Sequence, residues 1–422
     1  MTDLAALQEI AEKCVRCGLC QSVCPVFAEL KKETAVARGK VSLIGKLLSG
    51  EVEWSEKMST YVLQCLGCGA CSESCPNGVK ADELILAARA LMVEKKGLSL
   101  SKWFILRKIL NSAYLLPMLV KTGALLQGLV FKKVPKESGL HLRFSLPYLD
   151  KDRLIPPLSN TFFLDRNRDE PEADGGQSRI GIFVGCSINY LFPEIGESTL
   201  RLLKRSRFSI GLPGEQTCCG LPAYGSGDLE TARSLARRNL DAFLSSNLDQ
   251  ILVPCASCFY FLKEGYPRLF PEDERVKVFS QKIVEPSTFF LNRGDTSQND
   301  PQISGLEKKR RVTYHDPCHL RRGMKIYQEP RRLLQSLPGV ELIEMKQPNR
   351  CCGLGGSFNL IYYGLSKKIV ESKLDDIEAT GAEVVTTGCM GCLIQLKDGI
   401  HARRMGTEVV HIVELLDRAL NP

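Results

Sequence analysis

No run of about 18 uncharged apolar residues occurs in the sequence, so no single helix long and apolar enough to cross a bilayer is expected. In its most apolar region, Trp103 to Phe131, the longest uncharged stretch is the twelve residues from Ile109 to Val120. A basic start followed by an apolar core is also missing. Met1 to Glu12 carries Asp3, Glu9 and Glu12 instead, which argues against a secretory signal. The expected location is the cytoplasm, either free or peripheral on the inner face of the membrane. No flavin or nicotinamide fingerprint is present. Gly353-Leu-Gly355-Gly356 has the glycines of a dinucleotide loop but follows a cysteine pair instead of a strand. No nucleophile and base pair is legible, and the whole chain has only five histidines.

Charge of one sign is not concentrated anywhere. The 56 Lys and Arg against 48 Asp and Glu leave +8, and the basic residues are scattered, which excludes a nucleic-acid footprint and leaves an acidic partner open. A length of 422 residues suggests about three domains.

Cysteine is what the chain has in excess. All eighteen fall into four groups at metal-type spacing with none left over, which favours metal over disulfides in a chain without a secretion signal. One group is built on Asn349-Arg-Cys-Cys-Gly-Leu-Gly-Gly-Ser-Phe358. Glycine backbone lets a bulky inorganic cluster approach and offers N–H groups to it. Cys318 lies 33 residues before Cys351, and Cys389-x-x-Cys392 begins 37 residues after Cys352. Five thiolates converge, one more than a single zinc ion or a cubane cluster takes, so the fifth calls for a larger cluster or a redox-active thiol.

The arrangement occurs twice. Cys186, Cys218-Cys219-Gly220 and Cys255-x-x-Cys258 repeat it at offsets of 132, 133 and 134 residues, which marks an internal duplication. The flanks agree: Ile180-Gly-Ile-Phe-Val-Gly-Cys186 matches Val312-Thr-Tyr-His-Asp-Pro-Cys318, and Ile251-Leu-Val-Pro-Cys255 matches Val384-Val-Thr-Thr-Gly-Cys389. Each cysteine follows a short β-branched run.

Near the start, Cys14-x-x-Cys17-x-x-Cys20-x-x-x-Cys24-Pro25 and Cys65-x-x-Cys68-x-x-Cys71-x-x-x-Cys75-Pro76 each have the spacing of a bacterial ferredoxin run. In that run three close cysteines wrap one 4Fe-4S cube and the fourth reaches to the other. Cys14, Cys17, Cys20 and Cys75 are therefore assigned to one cube, and Cys65, Cys68, Cys71 and Cys24 to the other. Between the runs, Val41 to Leu48 has helical spacing, so helices are expected around the clusters in place of the strands of a small ferredoxin.

These motifs, with Ala37-Arg38-Gly39-Lys40 and Cys75-Pro76-Asn-Gly78-Val79, make the chain resemble the iron-sulfur subunit of glycolate oxidase and the relatives that serve D-lactate dehydrogenases. The likeness runs almost end to end. The chain also looks like the catalytic subunits of heterodisulfide reductases, whose five-cysteine motif binds a noncubane 4Fe-4S cluster. A complete Cys389-x-x-Cys392 pulls the likeness toward the D-lactate relatives or the heterodisulfide reductases. The resemblance implies two cubanes, one or two noncubane clusters with zinc in place of one as the alternative, and no flavin of its own. The implied partner is an FAD-containing dehydrogenase subunit, with an electron transfer flavoprotein, a quinone or a membrane-surface acceptor downstream. Iron-sulfur clusters carry single electrons and oxidation of an alcohol needs two, so a flavin partner is expected to oxidise a 2-hydroxyacid. The rival is disulfide reduction at a noncubane cluster.

The expected fold is multi-domain α/β. A mainly helical two-cluster domain covers 1–98, a helical connector and linker 99–178, a first cysteine-rich α/β domain 179–291, a linker 292–311, and a second cysteine-rich domain 312–422. Ala81 to Lys95, Leu229 to Leu244 and Leu365 to Thr380 are expected helices, the first ended by Gly97. The two lobes are expected to be separate and joined by flexible chain. Trp103 to Phe131 reads either as helices packed under the cluster domain or as a docking surface for a membrane or partner. His315 and His319, in His-Asp-Pro-Cys-His, are the candidates for direct chemistry, set against a role in holding a cluster sulfur or a turn. Arg38 and Lys40 read as surface or cluster-facing cations.

Overall fold

A computed structural model describes residues 4–134, 139–143, 150, 153–168, 178–293, 305–306 and 308–421. Up to residue 98 the described residues form helices and turns without a strand. Helices Ala37–Leu48, Glu56–Leu63 and Ala81–Lys96 bury Val41, Ile44, Met58, Val62, Leu84, Ile85 and Ala88 against one another. Ser55 starts the second by accepting from Met58 N at 3.2 Å. Gly97, at φ 73°, ends the third. Helix Pro25–Leu30 starts within the first cysteine run. Cys24 is its N-cap, the sulfur accepting from Phe27 N at 3.4 Å, and Pro25 takes the position where a missing N–H costs nothing.

The connector is Leu100–Trp103, a wider π turn over Phe104–Leu110, helix Leu115–Val130, and a short antiparallel pair, β1 (Phe131–Lys133) with β2 (Leu140–Leu142). The two apolar helical pieces meet at 101°, and neither alone is long and apolar enough to cross a membrane. Leu106 is buried in the core of the cysteine-rich domains and Arg107 pairs with buried Asp228 at 3.2 Å, while Leu100, Phe104, Tyr114, Leu125 and Leu129 are exposed. Part of this segment is therefore core, and part is open surface.

Each repeat is a four-stranded all-parallel sheet. In the first, β3 (Arg179–Ile182), β4 (Ser209–Gly211), β5 (Gln250–Leu252) and β6 (Ile283–Val284) run in the order β4-β3-β5-β6. In the second, β7 (Arg310–Tyr314), β8 (Val340–Leu342), β9 (Val384–Thr387) and β10 (Glu408–His411) run in the order β8-β7-β9-β10. The order is the same, so the duplication seen in the cysteines extends to the topology. Helices on the faces leave strand residues such as Ile180, Ile182, Ile251, Leu252, Val384 and Val385 fully buried, as parallel sheets require.

The two repeats are not held apart as separate lobes. Helix Pro193–Arg205 packs on Ile412–Leu420, and one continuous core spans both sheets. Arg201 pairs with Asp417, Arg205 Nη1 donates to Leu420 O at 2.9 Å, and Ala256 N donates to Gly388 O at 2.8 Å. The last helix carries the join, burying Ile412, Val413, Leu415, Leu416, Ala419 and Leu420 with Pro193–Arg205 of the first repeat packed on it. Residues 169–177, 294–304 and 307 of the expected linkers lie outside the described residues; helix Pro286–Arg293 and β7 flank the second.

Candidate metal centres

In a parallel sheet the gap for a ligand opens at the carboxyl ends of the strands, where the strand order reverses. Both five-cysteine motifs sit there. Cys186 and Cys255 follow β3 and β5, the adjacent central strands, and Cys218-Cys219 follows β4; Cys318, Cys389 and Cys351-Cys352 stand likewise after β7, β9 and β8. The glycine after each pair is forced. Gly220 and Gly353 have φ of 94° and 92°, and a Cβ would meet Ala232 O at 3.2 Å or Ser366 O at 3.0 Å.

The thiols within each motif are in contact. Cys186 and Cys218 sulfurs are 3.7 Å apart, and those of Cys352 and Cys392 3.6 Å. Thiol hydrogen bonds, from Cys218 first and then Cys258, draw Cys219 down to about 6. Cys352 is held well below the usual thiol value by Cys351 and Cys392, and Cys389 by Cys255 and Cys392. Each motif thus contains a thiol poised to ionise, as a metal ligand must be.

All ten of these cysteines line a single chamber of about 350 Å³, together with Cys68 of the helical domain. Ser257 of the first repeat lies 3.2 Å from Cys389 Sγ and 2.9 Å from His319 Nδ1, and His319 stacks flat on Tyr260, with ring centres 4.9 Å apart. The neighbouring Cys351 thiol pushes the Cys68 and Cys318 thiols well above the usual value. His319 therefore faces the chamber, whereas His315 is buried behind it, within 4.8 Å of Cys352 and Cys392 at its ligand atom. Burial holds the His315 imidazole neutral, its pKa lowered to about 3.

In the helical domain, Cys14, Cys17, Cys20 and Cys75 line one hollow together with Cys71, and Cys24, Cys65, Cys68 and Cys71 line another. The fourth cysteine of each run thus stands beside the first three of the other. Cys17 is exposed, with Val15 and Leu19 around it, so the first hollow lies at the surface.

Several polar residues hold these loops, and two of them, Arg89 and Arg322, carry no sequence signal. Arg89 is buried in helix Ala81–Lys96. It donates to Val62 O at 3.2 Å, Cys65 O at 2.6 Å and, in the first repeat, Gly225 O at 2.7 Å. Arg322 joins the Cys68 loop to the Cys351 loop, donating to Cys68 O at 3.3 Å, Asn349 O at 2.8 Å and Glu73 at 3.0 Å. Asp316, beside His315, is buried between Arg321 and Arg331, each at 2.8 Å. Lys40 is buried rather than at the surface, its ammonium held by Ala35 O at 2.7 Å and Gln64 O at 2.8 Å; Arg38 pairs with exposed Glu33.

All eighteen cysteines are free, and their groups of four and five offer the soft donor sets that iron-sulfur clusters take. Bound there, such clusters accept and release single electrons. With a helical module of the two-cluster kind and two parallel-sheet modules presenting cysteines at their switch points, the molecule is an iron-sulfur electron-transfer protein.

The comparisons with known proteins agree. The cysteine-rich (CCG) domain family matches residues 180–263 and 312–397, and the 4Fe-4S dicluster domain family matches 10–79. A Bacillus subtilis protein described as "Probable glycolate oxidase iron-sulfur subunit" is 32% identical over 416 residues, covering 96% of this chain and 92% of that one. A Methanothermobacter marburgensis protein, one of the subunits of a fumarate reductase (CoM/CoB), is 29% identical over 413 residues, 96% of this chain and 72% of that one. Lactate utilization protein A of Oceanobacillus iheyensis is 32% identical over 243 residues, 57% of this chain and 96% of that one. The chain belongs to the family of glycolate oxidase iron-sulfur subunits.

Proposed function

We propose that this chain is the electron-transfer subunit of a flavin-dependent 2-hydroxyacid dehydrogenase, of the D-lactate or glycolate kind. It takes electrons one at a time from an FAD-containing partner and passes them to a terminal acceptor: an electron transfer flavoprotein, a quinone or a membrane-surface carrier. The single observation that carries this reading is that Cys68 lines the same chamber as Cys351, with Arg322 donating to both Cys68 O and Asn349 O. A ligand of a ferredoxin-type cube there faces the ligands of the second five-cysteine site in one chamber, so electrons collected in the helical domain have a direct route into it.

In this reading Cys14, Cys17, Cys20 and Cys75 hold one cubane, and Cys65, Cys68, Cys71 and Cys24 the other. Cys186, Cys218, Cys219, Cys255 and Cys258 hold a third centre, and Cys318, Cys351, Cys352, Cys389 and Cys392 a fourth. The third and fourth are noncubane clusters. The surface hollow around Cys17 is the place nearest a partner, the second hollow comes next, and the chamber is the inner end of the path. The test is Cys351→Ser or Cys389→Ser in the reconstituted complex. Each is expected to stop transfer to the acceptor while the flavin of the partner stays reducible by the hydroxy acid; unimpaired transfer would refute the route.

The chamber favours a second reading, disulfide reduction. It is roomy, has cysteines of both repeats in its wall, and one of the relatives is described as part of a fumarate reductase (CoM/CoB). A lone chain that reduces a disulfide with a reduced dye as donor would establish it.

The protein further docks on the inner face of a membrane without spanning it. Between Lys95 and Lys133 there are eight Lys and Arg and no Asp or Glu, and Leu100, Phe104, Tyr114, Leu125 and Leu129 project into solvent from the same stretch. Exposed apolar side chains amid basic ones suit an anionic lipid surface. Deleting Trp103 to Phe131 is expected to move the protein to the soluble fraction with its clusters intact; loss of the clusters would mark the stretch as core.

A further inference from the structure

The two five-cysteine sites are matched in every thiol but not in their surroundings, and one difference sets a nitrogen donor behind the thiols of the second. Where the second repeat has His315 at the end of β7, the first has Phe183, at the repeat offset of 132 residues. Phe183 is buried against Phe243, with ring centres 5.7 Å apart, and offers no donor atom. His315 is equally buried, 1% exposed, and its Nδ1 has no hydrogen-bond partner among the described residues. A buried polar nitrogen without a partner is costly unless something binds it. The ligand atoms of His315, Cys352 and Cys392 all lie within 4.8 Å of one another, and the two sulfurs are 3.6 Å apart. Two thiolates bound to one tetrahedral metal at about 2.3 Å stand about 3.8 Å from each other, so the spacing is that of ligands to a single ion.

We propose that His315 is a nitrogen ligand to the metal of the second site, sharing one iron with Cys352 and Cys392. The first site is then bound by thiolates alone, and the second by thiolates and one imidazole. A coordination position on that iron filled by a neutral imidazole in place of an anionic sulfur raises the reduction potential of an iron-sulfur centre, as in centres where histidine replaces cysteine. The second site thus becomes the more oxidising of the pair. It is also the one whose Cys351 loop Arg322 ties to the cubane ligand Cys68, so an electron arriving from the helical domain meets the site that holds it better. The asymmetry gives two duplicated sites different tasks. The inference rests on iron loading of the second repeat.

The test uses the full-length chain, loaded anaerobically with iron and sulfide, reduced with dithionite, and prepared with and without 15N-histidine. Pulsed electron paramagnetic resonance is expected to find the strong nitrogen coupling of a metal-bound imidazole that changes with the label. The coupling should persist in His319→Ala and vanish in His315→Phe, which installs the residue of the first repeat. His315→Phe is also expected to lower the midpoint potential of one centre and leave the others in place. A wild-type protein with iron well above about eight per chain, and either no such coupling or only the weak one of a hydrogen-bonded imidazole, overturns the ligation alone. A coupling that survives in His315→Phe does the same. Iron of only about eight per chain overturns the ligation and the proposed loading together, because only the cubanes would then be filled. The wild-type measurement decides even where the variant fails to fold.

Discussion

Ser257 Oγ lies 3.2 Å from Cys389 Sγ, although the serine belongs to the first repeat and the cysteine to the second. The duplication therefore yields one chamber with two walls. A change on either wall should be felt by both five-cysteine sites.

Cys24→Ser should perturb the cluster of Cys65, Cys68 and Cys71, although residue 24 belongs to the first run. Cys24 lines the hollow of those three and not that of Cys14, Cys17 and Cys20. Spectra of the reduced variant check it. A change confined to the cluster of Cys14, Cys17 and Cys20 would show the crossed assignment to be wrong.

Metal content separates four clusters from three. With both chamber sites loaded, anaerobically purified protein should carry about sixteen iron per chain. About twelve iron with one zinc would mean that one repeat has become a structural zinc site.

Arg89→Ala should destabilise the fold by about 3–5 kcal/mol, because truncation strands buried carbonyls of Val62, Cys65 and Gly225 that one guanidinium now satisfies. The docking is tight at this point. Gly227 has a φ of 89°, and a Cβ there would stand 2.3 Å from Arg89 O. Urea midpoints of wild type and variant measure the loss. A change below about 1 kcal/mol would mean that water replaces the arginine at no cost.

The pH dependence has a defined sign at His411. This residue caps helix Ile412–Leu420, its Nδ1 accepting from Val413 N at 3.3 Å, and burial lowers its pKa to about 4. The unfolded chain takes up the proton near 6.5, so the stability contributed by the neutral ring is full above that pH and is lost as pH falls from about 6.5 toward 4. Between pH 7.5 and 5.5 the loss should be about 1.4 kcal/mol, and His411→Asn, which keeps a cap and cannot titrate, should lack that component. Equal pH slopes for the two proteins would contradict it.

The cysteines that gather in the hollows and the chamber were legible in the sequence as groups because their spacing is regular, and the offsets of the two copies exposed the duplication. The strands were legible too, since β-branched runs precede Cys186, Cys255, Cys318 and Cys389. The partners of those cysteines were not. Ser257 is 132 residues from Cys389, Arg89 is 136 from Gly225, and Arg322 is 254 from Cys68. Such contacts arise only from the way finished domains dock, and a lone serine or arginine gives no local sign of it. The union of the lobes was missed for the same reason: the apolar residues of Ile412–Leu420 announce a buried helix but not which helix buries it.

The central claim is that this chain relays electrons from a flavoprotein that oxidises a 2-hydroxyacid. Stopped-flow absorbance of the iron-sulfur bands, recorded with the chain alone and with the FAD-containing partner, tests it most directly. With partner present, D-lactate or glycolate should bleach the bands within turnover time, and without it neither acid should change them. Bands that stay oxidised in the presence of partner and both acids, in a protein that as a lone chain reduces a disulfide from a reduced dye, would contradict the account.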